Sequence, residues 1–375
     1  MANILDYLDW RGDLRFDQSP FNEVDGYLLC KLGCPDLTGA VPADGFVRLD
    51  EGIRRYFSLY GEGEPRLGAL ISPMVVPAIR RLPDTPRYAG LKLGGFLSIN
   101  DRLRNEQFSA LTVVLPDGTH FVTFRGTDDT IAAWKEDFLL SVEDEVPAQK
   151  DAAAYLLRAA DRAPGKLLVG GHSKGGNLAV YAALHAPEAL QDRISGIYNY
   201  DGPGFRTDIL DTPAYRRIRD RVITVLPQHT TVGKLLYHEQ NCVIVRSDRS
   251  GVAAHDGFHW QVKGTRFLRC QDYSIFSKSF DRAIRECTGR MDREQQRAFI
   301  EETFELLTST GAVTLTDLTD GRLMQAAELA VRMGKSQEVR RFLLTLARKT
   351  VSSMGRSLPE AFRNRRRRGE SRGDS

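Results

Sequence analysis

The sequence is poor in several features, and each shortage excludes something. It has five cysteines in 375 residues, odd in number and widely scattered: Cys30, Cys34, Cys242, Cys270 and Cys287. No second cysteine pair or histidine stands at zinc-site spacing from Cys30 and Cys34. Reduced thiols are expected, not a disulfide framework or a structural metal. No apolar run approaches the length of about 18 residues that a membrane-spanning helix needs. The opening stretch MANILDYLDWRGDLRF places Asp6, Asp9, Arg11 and Asp13 where a secretory leader would be apolar. Together these two features set the expectation of a cytoplasmic protein. No internal repeat is visible. The net charge is small, +3, and uneven: six arginines between Arg363 and Ser375, against Glu370 and Asp374, leave the rest of the chain close to neutral. A near-neutral body lacks the extended basic face of a nucleic-acid-binding protein.

What is present is material for a large core. Hydrophobic residues make up 42% of the chain and charged residues 27%, as in soluble globular proteins. EGIRRYFSLYG reads as a short amphipathic helix stopped by Gly61. ALTVVLPDGTHFVTFRG holds two β-rich runs around Pro-Asp-Gly-Thr, a hairpin signature. AQKDAAAYLLRAADRAPG is an Ala/Leu-rich helix ending at Pro164-Gly165. From 166 to 275 strands alternate with other elements: KLLVGG, ISGIYNYDG, RVITVLP and NCVIVRS, with the helix GGNLAVYAALHA after the first. Apolar runs with little alternation predict strands covered on both faces, hence a mostly parallel sheet in an α/β layered domain. After about 276 the strands stop. Three amphipathic helical patterns follow, MDREQQRAFIEETFELLTSTG, GRLMQAAELAVRMG and SQEVRRFLLTLARKTVSSMG, and then the basic tail RNRRRRGESRGDS, read as disordered.

Within KLLVGGHSKGGNLAVYAALHAP, the motif Gly171-His172-Ser173-Lys174-Gly175 follows a strand and opens a helix of small residues. A nucleophile elbow needs that setting: the serine takes a strained turn conformation, and glycines at 171 and 175 avoid collision with the neighbouring strand and helix. The helix N-terminus then offers partial positive charge, with the Lys174 amide as an oxyanion donor. The plain alternative is a strand-to-helix turn that happens to use Gly and Ser. A nucleophilic serine also needs a base. His172 reads as packing beside the elbow, while His120 and His185 lie too early or on the helix. His229, His238, His255 and His259 remain. NCVIVRSDRSGVAAHDGFHW places His255 and His259 after a strand and a loop, and the chain order Ser, acid, His fits either, with His255 preferred.

FVTFRGTDDTIAAWKEDF, GGHSKGGNLAVYAAL and YNYDGPGF together resemble the fungal-type class 3 lipases. The run from NILDYLDWRGDLRFDQSPFNEVD to HDGFHWQV is more closely similar to a bacterial family of lipase-like, Mbeg-like proteins of unknown function. The resemblance implies an α/β-hydrolase: a mostly parallel sheet flanked by helices over 1–275, followed by a C-terminal helical appendix (276–355) and the basic tail (356–375). It also implies that Thr127, after Arg-Gly, shares the oxyanion hole with Lys174. Asp137 would brace the Thr127 hydroxyl, His255 would be the base, and DTIAAWKEDFLL would be the place for a lid. Without the resemblance, Asp137 reads as an exposed helix carboxylate. The sequence departs from the lipases after RVITVLP, where the family's acid belongs: Gln228, His229, Thr230 and Thr231 stand there. Asp201, at the end of the preceding strand, is the best substitute, because the carboxyl ends of parallel strands converge. Its plain alternative is a turn cap before Gly202-Pro203. Asp248 and Asp256 are weaker candidates.

The expected activity is hydrolysis of a carboxylic ester, acyl lipids among the candidates, through an acyl-enzyme and with no metal or organic cofactor. The competing expectation is a catalytically weak or inactive hydrolase-like binding protein, for which the missing acid speaks. The arginine-rich tail suits weak attraction to an anionic membrane surface, set against a simply solvated chain end. No specific nucleic-acid partner is expected.

Overall fold

The computed structural model describes residues 2–308 except 62–66, 68–70, 102, 105, 129, 239–241 and 290, and beyond 308 only residues 345 and 348. Apart from residues 345 and 348, two helical patterns of the expected appendix, those over 321–355, and the basic tail therefore lie outside the described residues.

The helices are α1 (Ile4–Arg11), α2 (Glu23–Leu32), α3 (Leu49–Tyr60), α4 (Val75–Arg81), α5 (Ile131–Leu139), α6 (Pro147–Asp161), α7 (Lys174–Leu184), α8 (Glu188–Gln191), α9 (Thr207–Leu210), α10 (Pro213–Ile218), α11 (Ile275–Thr288) and α12 (Arg293–Thr308). Eight strands form one sheet: β1 (Phe46–Arg48), β2 (Lys92–Asp101), β3 (Glu106–Val114), β4 (His120–Phe124), β5 (Leu167–His172), β6 (Ile194–Tyr200), β7 (Val222–Pro227) and β8 (Val243–Val245). A small hairpin, β9 (Val262–Lys263) with β10 (Arg266–Phe267), stands apart. Spatial order follows chain order from β1 to β8. The first four strands pair antiparallel and the rest parallel. This is the mostly parallel, helix-flanked sheet of an α/β-hydrolase.

That order has a consequence for the N-terminal region. Parallel crossovers are right-handed, so a sheet extended steadily in one direction receives all its crossover helices on one face. Here α6, α7 and α10 lie there, burying Leu156, Leu178 and Ile218 with Val122, Leu167 and Val169 of the sheet. The opposite face presents Phe121, Leu168, Tyr198 and Val225. It is covered by the first ninety residues, including Leu28, Leu32, Ile53 and Ile79, and by Trp260 and Phe267. Leu168 between Leu167 and Val169 shows the strand alternation feeding both cores, which is why the sequence reads as a continuous apolar run.

α2 is well anchored. The Asn22 side chain accepts from the amides of Val24 and Asp25, a cap worth about 1 kcal/mol. Asp25 is fully buried and accepts from Arg87 at 2.7 and 2.5 Å and from the Tyr7 and Tyr88 hydroxyls at 3.0 and 2.7 Å. After the hairpin comes α11, tied to the loop after β7 by the Ser277 hydroxyl donating to the Thr230 carbonyl at 2.7 Å. Next, α12 lays Ile300 and Phe304 against Ile131 and Val142 around α5. Among the described residues no helix is long and apolar enough to cross a membrane.

Candidate active site

The functional residues gather at the carboxyl edge of β4 to β7, where successive loops leave the sheet. Ser173 sits between β5 and α7 with φ +61° and ψ −136°. A side chain rarely adopts that conformation, and it costs on the order of 1–3 kcal/mol. Its amide donates to the Tyr200 carbonyl at 3.0 Å, pinning the turn to β6. A Cβ on Gly171 would lie 2.1 Å from the Gly175 carbonyl oxygen, and one on Gly175 would lie 2.1 Å from the Phe124 carbonyl oxygen. Backbone cannot yield there, so α7 can start this close to β4 and β5 only with glycine at both positions. The Ser173 side chain does not cap α7. First-turn amides of a helix, the Lys174 amide among them, lack intrahelical acceptors and point toward the serine end.

Asp201 directly follows β6, also at positive φ (+49°), and is fully buried. Its Oδ2 is 2.7 Å from His255 Nδ1, and its Oδ1 accepts from the Thr230 hydroxyl at 2.5 Å. The Thr230 oxygen in turn accepts from the Gly233 amide at 2.9 Å. Burial pushes the Asp201 carboxyl above its usual range, opposed by the contacts with His255 and Thr230. The residues after β7 supply no acid. A carboxylate one strand earlier stands beside the histidine, and Thr230 from the β7 end hands it a hydroxyl. The acid missing after β7, which speaks for the binding-protein expectation, is indeed absent there, and the carboxylate beside the histidine comes from the β6 end.

His255 closes a short 3-10 turn, Gly251–His255, with its side chain 16% exposed. With Nδ1 on the carboxylate, Nε2 lies on the far side of the ring. The other candidates are engaged elsewhere. His259 Nδ1 pairs with Asp248 at 2.9 Å, and Asp256 accepts from the Phe258 amide at 3.0 Å as a turn cap. His120 is bonded to the Gly118 carbonyl at the amino end of β4, and His185 stacks on Tyr181. His229 contacts the Gln228 amide at 2.8 Å, and burial pushes His238 down to about 4.

Thr127 is buried, and its hydroxyl donates to Asp137 Oδ2. That hydroxyl proton is therefore committed to Asp137, which leaves the backbone amide as the Thr127 donor. Lys174 sends its side chain away from the serine. Its Nζ donates to Glu136 Oε2 and to the Gln107 carbonyl, both at 2.8 Å, and lies 3.9 Å from Asp137 Oδ1. The Lys174 and Glu136 side chains are completely buried. Glu136 was not foreseen; the sequence signal was an acidic pair, Glu136-Asp137, beside Lys135 on a mostly apolar helix. The segment that the resemblance marks as a lid is fastened on both sides, by Glu136 to the elbow helix and by a Lys135–Glu301 ion pair to α12.

Burial raises the Asp137 carboxyl to about 6, opposed by the charge of Lys174 and the Thr127 hydroxyl. Below the ordinary value of 3.8, folded and unfolded chains are both protonated and the group costs nothing. Between 3.8 and about 6 only the unfolded chain ionises, so stability is lost as pH rises through that window and the loss then levels off. Asp137→Asn should accordingly gain stability over the wild type as pH goes from about 5 to about 8. Urea unfolding at both pH values checks this, and a difference that does not grow with pH would refute the assignment.

The fold is that of an α/β-hydrolase. More particularly, the chain belongs to the Mbeg1-like family, whose model matches residues 82–305, more than half of its length. Among solved structures, the Rhizomucor miehei lipase in its propeptide complex is similar at 17% identity and a TM-score of 0.29, over 41% of this chain and 57% of its own. A mutant form of MDLA from Penicillium cyclopium is similar at 14% identity and a TM-score of 0.34, over 53% of this chain and 74% of its own. The chain thus spans little more than half the length of the Rhizomucor lipase. No curated protein matches the sequence.

Proposed function

We propose that the protein is a serine hydrolase that cleaves carboxylic esters through an acyl-enzyme, with acyl lipids as the first substrate class to try. Ser173 Oγ attacks the ester carbonyl carbon while His255 Nε2 takes its proton, and buried Asp201 stabilises the resulting imidazolium. The amides of Thr127 and Lys174 receive the developing oxyanion. The tetrahedral intermediate collapses, the alcohol leaves with the proton from His255, and water repeats the sequence in reverse to free the acid.

The observation that carries this reading is the 2.7 Å contact between His255 Nδ1 and the fully buried Asp201. A buried carboxylate beside a histidine fixes the tautomer that leaves Nε2 able to accept a proton. The strained backbone at Ser173 supports the same conclusion, since such strain gathers at functional turns.

Fluorophosphonate labelling of the purified protein, read by intact mass, tests it. One adduct is expected on the wild type and none on Ser173→Ala. A folded wild type that takes up no adduct would overturn the proposal.

A further inference from the structure

The loop carrying His255 is held by side chains from three directions, and one of them comes from the N-terminal layer, to which the hydrolase reading gives no chemical part. Trp260 Nε1 donates to the Ala254 carbonyl at 2.8 Å, and the Gly257 amide donates to the Tyr27 hydroxyl of α2 at 2.9 Å. Between them, His172 Nε2 lies 2.8 Å from the His255 carbonyl oxygen. The two imidazoles are tilted against each other with ring centroids 4.4 Å apart.

His172 Nδ1 is 2.9 Å from the Nζ of Lys31, the penultimate residue of α2. An ammonium has only donors, so Nδ1 must be the acceptor. The ring proton is then on Nε2, where it can be donated only to the His255 carbonyl. Lys31 is 5% exposed, with its ammonium 4.9 Å above the Tyr27 ring. A buried cation set against an imidazole nitrogen holds that imidazole neutral. Burial, Lys31 and His255 all push His172 well below the ordinary imidazole range.

We propose that Lys31 and His172 are positioning residues for the base: the Lys31 ammonium locks His172 as its Nε2–H tautomer, and that N–H holds the His255 carbonyl so that the imidazole meets Asp201. The role rests on the hydrolase reading above. It explains why a histidine precedes the serine, since one rigid turn then carries the nucleophile and also grips the loop of its base. The groups that contact the imidazole pair are Tyr27 and Lys31 from α2, Asp201 from the β6 end and Trp260 from the base's own loop. Lys31 is the cation among them.

The test uses the full chain as wild type, Lys31→Met, His172→Gln and His172→Leu, with two readouts. In heteronuclear NMR of the histidine rings, wild-type His172 should be an Nε2–H tautomer that does not titrate between about pH 5 and 8, and in Lys31→Met it should titrate or mix tautomers. In fluorophosphonate labelling of Ser173, Lys31→Met and His172→Leu should slow about tenfold to a hundredfold, the scale of a small misplacement of a catalytic group. His172→Gln should stay within a few-fold of wild type, because its amide still accepts from Lys31 and donates to the carbonyl. Lost packing alone would slow labelling without changing the tautomer or titration of His172.

A wild-type His172 that titrates or carries its proton on Nδ1 overturns the proposal, and so does a Lys31→Met protein with an unchanged labelling rate and an unchanged His172 tautomer. A wild type that is not labelled at all sinks the hydrolase reading and the positioning role with it. The NMR readout then decides whether the Lys31–His172 lock exists.

Discussion

Asp201→Asn should leave the fold standing and remove most of the reactivity of Ser173. The position tolerates asparagine, which visits the left-handed region more readily than other side chains, as the φ of +49° requires. An asparagine oxygen can still accept from the Thr230 hydroxyl, so the turn after β6 keeps that partner. The histidine loses what it needs. An amide cannot stabilise an imidazolium as a carboxylate does, and its NH2 group favours the tautomer with the proton on Nε2, where a base must be empty. The expected loss is about 10⁴-fold in labelling and in any ester hydrolysis, the scale of the same change in a serine-protease triad. Labelling rates beside a thermal or urea unfolding curve separate chemistry from stability. A variant labelled within about tenfold of wild type, roughly 1.4 kcal/mol in barrier, would show that Asp201 is only a turn residue.

Lys174→Met carries the largest expected effect on stability. Its Nζ is the counter-charge for Glu136, whose other oxygen accepts from the Ala148 amide at 2.9 Å, and both side chains are excluded from solvent. Removing one partner of a buried pair strands the other charge, at a cost of about 3–5 kcal/mol. Replacing both partners costs far less, so Lys174→Met combined with Glu136→Gln should recover a large part of the loss. Because α5 also carries Asp137, which accepts from Thr127, the single variant should loosen the oxyanion side and slow labelling as well. Guanidinium unfolding of the three proteins at neutral pH gives the comparison. A single variant within about 1 kcal/mol of wild type would mean that Lys174 and Glu136 are not a coupled pair.

Two layers of this molecule could be read from local pattern. The strands of the parallel half appear as apolar runs because each is buried on both faces, and the hairpin around Pro116-Asp117-Gly118 follows from turn chemistry between two such runs. The elbow was legible because its demands are local: Gly171 and Gly175 answer to backbone within a few ångströms. The role of the N-terminal hundred residues was not legible. Nothing in their own sequence says that a sheet growing in one direction leaves a bare face for them to cover.

The partners of the serine were decided in three dimensions. Asp201 and His255 are 54 positions apart, and with no acid after β7 the sequence offered Asp201 as a substitute with a turn cap as its equal alternative. Only the sheet brings the β6 end, Thr230 from the β7 end and the loop after β8 to one point. Lys174 was legible as an amide donor because backbone geometry follows from the helix start. The direction of its side chain toward Glu136, 38 positions earlier, was not. Lys31 and His172 meet across 141 positions for the same reason. Sequence by itself determined what short-range sterics and hydrophobic periodicity can determine: the elements, the turn and the nucleophile candidate. The tertiary structure decided which distant charges share a dry site, because in a low-dielectric interior a charge is tolerated only where packing has delivered its partner.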